Sequence, residues 1–234
     1  WHVQYKRELR LDHPVRATIQ LIEFDDKRIH TYLELRHARE LWLAAGSHGF
    51  LGLTVPEQYG GGGTDDYRFA AVMQEEVSYT GVIGSANGFT LHNDIVLPYF
   101  IGLCNDEQKA RWLPGMVSGE RIGAIAMTEP NTGSDLANIR TTAVRHGDTY
   151  VVNGSKTFIT NGPYADTLVF ICKLDEGNAP EDRKVVSFVL DKGMAGLEQS
   201  KPLRKMGMHS SPTGELFLDN VRVGEDFIAD VAAS

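Results

Sequence analysis

The chain has 234 residues, a formal net charge of −8, and 42% hydrophobic against 23% charged residues, enough apolar content to bury one large core or two small ones. With no basic block, general binding to a nucleic-acid backbone is excluded, and no run approaches the roughly 18 apolar residues of a membrane helix or resembles a signal peptide. Cys104 and Cys172 stand alone in unrelated segments, with no disulfide framework and no metal spacing, which points to a reducing compartment.

Residues 1–121 read as helical. A helix is expected over Val15–Phe24. A clearer one spans Glu34–His48, where Leu35, Ala38, Leu41, Trp42 and Ala45 recur at helical spacing opposite Arg36, Arg39 and Glu40. The glycine run Gly60–Gly63 lacks the following Gly-Lys-Ser/Thr and the strand–helix setting of a phosphate loop. It reads instead as a turn into a helix capped by Asp65 or Asp66. That helix, Tyr67–Ser78, offers Phe69, Ala70, Met73 and Val77 as its inner face. Ser85–Tyr99 is a further apolar helical segment, ending near Pro98. Within it His92 could face a ligand, but a satisfied helix histidine is the preferred reading. Asn105 with Gln108 three residues later forms a capping-box pattern for a helix through Trp112, stopped by Pro114.

From Ile122 the pattern changes to short strands. The first is the apolar run Ile122–Met127. Ile139–His146 and Thr149–Asn153 flank the hairpin dipeptide Gly147-Asp148. Lys156–Ile159, Thr167–Leu174, Val185–Leu190 and Gly214–Leu218 follow. Short strands with regular turns predict an antiparallel barrel or sandwich over 122–234. The fold class is therefore α+β in two domains, an all-α one before a β one.

No motif pairs a nucleophile with a base: Gly-x-Ser-x-Gly, His-Glu-x-x-His and Cys-x-x-Cys are all missing, and the eight histidines are scattered. Two segments stand out. Ile125–Asp135, IAMTEPNTGSD, joins a buried strand to a tight turn and presents backbone N–H groups and hydroxyls in rigid order, a way to grip a phosphate-bearing ligand without a lysine-rich pocket. In Asn153–Gly162, NGSKTFITNG, strand alternation places Phe158 and Thr160 on one side, so that a ring could cover a planar ligand while a hydroxyl donates to it. Each alone is better read as ordinary strand and loop.

Together with three further blocks, these segments resemble the acyl-CoA dehydrogenase family, the flavoenzymes that desaturate acyl-CoA thioesters. The blocks, in the family's order, are ELWLAAGSHGFLGLTVPEQYGGGG, DEQKARWLPGMVSGE, AMTEPNTGSDLANIRTTAV, VNGSKTFITNG and KMGMHSSPTGELFLDNVRV. The resemblance implies a helical N-terminal domain (1–121), an antiparallel β-barrel middle domain (122–234) and a C-terminal four-helix bundle. It implies FAD as cofactor, with Ile125, Met127 and Thr128 along the flavin ring and Gly133 and Ser134 at the pyrophosphate. Ser134 would also border the substrate's pantetheine channel. Phe158, at a position often Trp in the family, would cover one flavin face beside Ile159, and Thr160 would bond near flavin N5. Arg183 would touch the nucleotide end of coenzyme A.

The implied reaction removes the α-proton of an acyl-CoA thioester while a hydride leaves the β-carbon for N5, in fatty-acid or branched-acyl catabolism. An electron-transfer flavoprotein is the implied acceptor, a homotetramer or homodimer the implied assembly, and bacterial cytoplasm or mitochondrial matrix the implied location. The family's base is a Glu of the C-terminal bundle, and the sequence stops at Ser234 where that bundle should begin. It is therefore read as truncated, with no catalytic residue in these 234 and no activity expected from them alone. Glu129 is read as structural. The first 35 residues lack a clean family pattern. A non-catalytic flavin- or acyl-binding protein, and a flavin monooxygenase or nitroalkane oxidase on the same scaffold, stay open.

Overall fold

Residues 39–80 and 83–231 are described in a computed structural model; the helix expected over Val15–Phe24 lies outside them. Residues 39–47 are helical (α1), and Trp42 and Ala45 are buried with Leu51 and Ile122, as their spacing requires. The chain continues through a 3₁₀ turn at Glu57–Tyr59 to α2 (Arg68–Thr80) and α3 (Ile83–Thr90). A π-turn at Leu91–Val96, α4 (Leu97–Leu103) and α5 (Asp106–Val117) complete the helical part. The expected capping box is present: Gln108 N donates to Asn105 Oδ1 at 2.8 Å, and Asn105 N to Gln108 Oε1 at 2.9 Å.

Three helical expectations change. Ser85–Tyr99 is not one helix, because its turns widen to π geometry over Leu91–Val96. That widening lets consecutive side chains, His92 and Asn93, both face inward. Asn93 Nδ2 donates to Phe50 O at 2.8 Å, and its Oδ1 accepts from Gly52 N at 3.0 Å. The second change is in α5, which runs through Pro114 to Val117 and buries Trp112, Leu113, Met116 and Val117. Burial contributes roughly 1.5–3 kcal/mol per large apolar side chain, enough to offset the roughly 3 kcal/mol cost of an interior proline. Finally, on α2 only Ala70 of the expected inner face is fully buried, while Phe69 is 57% exposed.

The strands are β1 (Gly123–Ala126), β2 (Thr142–His146), β3 (Thr149–Thr160), β4 (Thr167–Asp175), β5 (Val185–Asp191), β6 (Leu197–Gln199), β7 (Thr213–Gly224) and β8 (Ile228–Val231). They form one sheet in the order β6-β7-β3-β2-β4-β5-β8, with β1 also beside β4. Helices before strands is as expected, but the antiparallel barrel is corrected on two points. The pairing is open, with β6 and β8 at its two ends, and it is mixed. Both β1 and β2 run parallel to β4, in the registers Gly123↔Thr167 to Ala126↔Phe170 and Thr142↔Lys173 to Val144↔Asp175. They are successive lengths of one strand path along β4, and residues 127–141 are a loop thrown out between them.

β4 and β5 are buried on both faces, which explains their nearly unbroken apolar sequence. Leu168, Phe170, Val186 and Phe188 point into the core inside the sheet, while Val169 and Val189 join Val96, Phe100 and Trp112 in the core shared with the helices. At this seam Asp191 accepts from Trp112 Nε1 (3.1 Å), Arg121 Nη1 (2.9 Å), Arg111 Nη2 (3.3 Å) and Thr167 Oγ1 (3.3 Å). His92 is a second rivet. Gly123 N donates to its Nδ1 at 3.0 Å, so the proton sits on Nε2, which faces Met116 O at 3.1 Å. Burial lowers its pKa to about 4, keeping the ring neutral. Asp191→Ala, which strands those donors, should cost about 2–4 kcal/mol in urea unfolding. Asp148→Ala, at the exposed β2–β3 turn, should stay within about 0.5 kcal/mol.

Candidate functional site

The 127–141 loop turns back on itself almost at once. Glu129 N donates to Thr132 O at 2.9 Å and Thr132 N to Glu129 O at 3.1 Å, with Pro130 and Asn131 at the corners, where proline's fixed φ is favourable. The end of β3 runs alongside. Thr157 N donates to Thr128 O at 2.9 Å, and Lys156 Nζ donates to both Met127 O and Glu129 Oε1 at 2.9 Å. The two segments singled out in the sequence are therefore laced together.

Glu129 and Lys156 have side chains only 3% and 0% exposed. Isolated charges there would be very costly, so each needs partners. The Glu129 carboxylate also accepts from Arg140 N at 2.6 Å and Thr141 N at 3.0 Å. Burial pushes its pKa up, but the hydrogen bonds from Thr141, Arg140 and Lys156 outweigh this and hold it below the ordinary carboxylate range. Burial draws the Lys156 ammonium down, opposed by the Glu129 charge. A carboxylate kept ionised in this way is a poor acceptor for a carbon-bound proton, which calls for a raised pKa. Glu129 is a structural anion, and Lys156, which sequence reasoning left without a role, is its counter-ion.

Phe158 lies where β3 slips register against β7, between Lys156 and Ile159. Strand alternation therefore breaks there. Its φ is 57° and its side chain is 68% exposed. A bulky residue in left-handed backbone costs on the order of 1–3 kcal/mol, and exposing the ring forgoes its burial. Ile159 points into the core inside the sheet, while Thr160 is half-buried. Asn161 then locks the segment: its N donates to Pro212 O at 2.8 Å, and its Nδ2 to Gly88 O at 3.1 Å and Gly123 O at 3.0 Å. The half-buried hydroxyls of Thr128 and Thr160 meet no protein partner among the described residues. Ile125 is buried beside Val96 and Phe100, with Met127 packed against the same core, so both side chains are spent on packing.

Gly133 and Ser134 are exposed at an open concavity of about 580 Å³ lined by Asn131–Asp135, Asn138 and Arg140. A Cβ at Gly133 would meet nothing within 4 Å, so packing does not require glycine there. Arg140 was missed in the sequence, where a single arginine beyond the motif carries no signal. Arg183, expected at the nucleotide end of coenzyme A, is paired with Asp175 at 2.5 Å.

Glu129→Gln should cost about 3–5 kcal/mol in urea unfolding, since it leaves the buried Lys156 ammonium with neutral acceptors and no counter-charge. The folded pKa of Glu129 lies below its unfolded value, so its contribution is complete above the ordinary carboxylate range and is lost as pH falls through the folded pKa. Wild-type stability should therefore drop more steeply in acid than that of E129Q, measured from pH 6 to 3.

The family model described as the acyl-CoA dehydrogenase middle domain matches residues 124–221, and the one described as the N-terminal domain matches residues 22–120. Mitochondrial isovaleryl-CoA dehydrogenase of Pongo abelii is 40% identical over 190 residues, 81% of this chain and 44% of that protein. The mitochondrial long-chain specific acyl-CoA dehydrogenase of Rattus norvegicus is 42% identical over 186 residues, 80% of this chain and 43% of that protein. Among solved structures, the acyl-CoA dehydrogenase from Geobacillus kaustophilus superposes with a TM-score of 0.77 at 41% identity, over 92% of this chain and 56% of that one. The Bacillus anthracis acyl-CoA dehydrogenase complexed with FAD gives 0.76 at 32% identity, over 92% of this chain and 36% of that one. The chain spans less than half the length of the curated relatives it matches.

Proposed function

The chain belongs to the acyl-CoA dehydrogenase family, and we propose that it supplies the helical (1–121) and middle (122–234) domains of an FAD-dependent enzyme that desaturates an acyl-CoA thioester. One observation carries the reading. An aromatic ring is held out to solvent at φ 57°, near two half-buried hydroxyls that have no protein partner among the described residues, on a strand end laced to a polar turn. The exposed ring in left-handed backbone costs the fold energy, and a flat, polar-edged ligand would use it.

The residues fit FAD. Phe158 offers a face to a planar ring system. The Thr128 hydroxyl and the Met127–Thr128 backbone suit its polar edge, although Lys156 already occupies the Met127 carbonyl, leaving the Thr128 hydroxyl as the stronger contact. Thr160 presents its hydroxyl next to Asn161, whose three donated hydrogen bonds keep it from drifting. Gly133 and Ser134, with their surroundings open, suit a pyrophosphate, and Ser134 also suits a pantetheine arm. Ile125 and Ile159 support the site from behind by packing. When bound, FAD would supply the hydride acceptor. The α-proton needs a base of raised pKa, which Glu129 is not, and we assign that base to the part of the family's length that this chain does not span. An electron-transfer flavoprotein is the proposed electron acceptor.

The intact protein should be yellow, with a flavin absorption spectrum. Thr160→Val should slow flavin reduction by an acyl-CoA about 10-fold, the worth of one well-placed hydrogen bond, while leaving the unfolding midpoint unchanged. Stopped-flow absorbance reads the rate, and an unaltered rate would remove Thr160 from the flavin contact.

A further inference from the structure

We propose that Arg140 is a phosphate ligand. Its guanidinium would close the concavity at residues 131–138 on a phosphate of the nucleotide portion of a bound cofactor or substrate, together with the main-chain N–H groups of Gly133, Ser134 and Asp135 and the Ser134 hydroxyl. This rests on the functional reading above and adds a full positive charge that the reading did not use.

The loop sorts its own donors into used and unused. The amides of Glu129 and Thr132 close the turn, and those of Asn138 and Ile139 close the short 3₁₀ turn onto Asp135 O (3.1 Å) and Leu136 O (3.3 Å). Between them, the three successive amides of Gly133, Ser134 and Asp135 donate to no acceptor among the described residues. Consecutive main-chain N–H groups without internal partners form a concavity for an anion. The Thr132 hydroxyl donates to Asn138 O at 3.2 Å, tying together two of the lining residues.

Arg140 completes this set from a fixed base. Its N donates to the buried Glu129 carboxylate at 2.6 Å, and the preceding Ile139 is 3% exposed, so the backbone cannot drift. Its side chain is exposed at the rim and makes no ion pair among the described residues, whereas Arg39, Arg121 and Arg183 are each committed to a carboxylate. The one acid on the lining, Asp135, is drawn toward Asn138 Nδ2. A guanidinium offers two parallel donors to a tetrahedral oxyanion, which an ammonium cannot reproduce.

Two ligands could bring that phosphate, the pyrophosphate of FAD or the phosphates of a coenzyme A thioester. R140Q and R140K, made in the intact protein, separate them. Flavin fluorescence on release measures FAD affinity. Calorimetry measures binding of an acyl-CoA and of the matching S-acyl pantetheine, which lacks the phosphates. R140Q should weaken one of the two nucleotide ligands about 3- to 10-fold, less at high salt, with partial recovery in R140K and an unchanged pantetheine thioester. Loss confined to FAD assigns the contact to the flavin pyrophosphate, and loss confined to acyl-CoA to the substrate. If wild type binds both ligands and R140Q matches it, the role of Arg140 is overturned alone. If wild type takes up neither, the functional reading falls and takes this assignment with it.

Discussion

A lysine and a glutamate buried face to face hold this site together. Glu129 and Lys156 lie 27 positions apart, at the start of a loop and near the end of a strand, and their 2.9 Å contact fastens one to the other. The carboxylate does more than neutralise the ammonium. By accepting from the amides of Arg140 and Thr141 it also determines where the same loop returns to the sheet. A buried ion pair adds little net stability over a well-packed apolar pair, but breaking it costs several kcal/mol of the 5–15 typical of a domain. That asymmetry makes the pair a device of register. It admits one alignment of the loop against β3 and penalises the rest.

The surrounding architecture turns that alignment into a site. β1 and β2 share one edge of β4, so the 127–141 loop leaves from the middle of a sheet whose faces are already filled on either side. The Asp191 cluster and His92 rivet helices to sheet at one end of the same strands. With the supports rigid, Phe158 can be held in unfavourable backbone with its ring in solvent, strain that a loosely supported strand end would relax by rotation.

Much of this was legible in the chain. The Asn105–Gln108 box and the Gly147-Asp148 hairpin depend on contacts a few residues apart, which local pattern predicts well, and the apolar runs of β4 and β5 show in their own composition. What was missed depended on distant partners. The π-turn exists because His92 and Asn93 each have a target elsewhere, Met116 and Gly123 for one and Phe50 and Gly52 for the other. Continuation of α5 past Pro114 depends on a core that accepts Met116 and Val117. The short strands β6 and β8 gain their identity only from β7 and β5.

The same division runs through the site. The residue types of IAMTEPNTGSD and NGSKTFITNG, their order and their turn chemistry are sequence properties, and they sufficed to mark both segments, while setting Glu129 aside as structural also took the family resemblance. Tertiary structure alone decided that the segments lie side by side, that Lys156 balances Glu129, and that Phe158 sits in a bulge instead of a regular strand. It also decided that Arg140 stands at the rim of the concavity. The physical reason is that burial and charge pairing are properties of neighbours in space. A lysine in a strand pattern and an arginine beyond a turn look like ordinary solvated cations until the fold brings a carboxylate to one and unspent amides to the other.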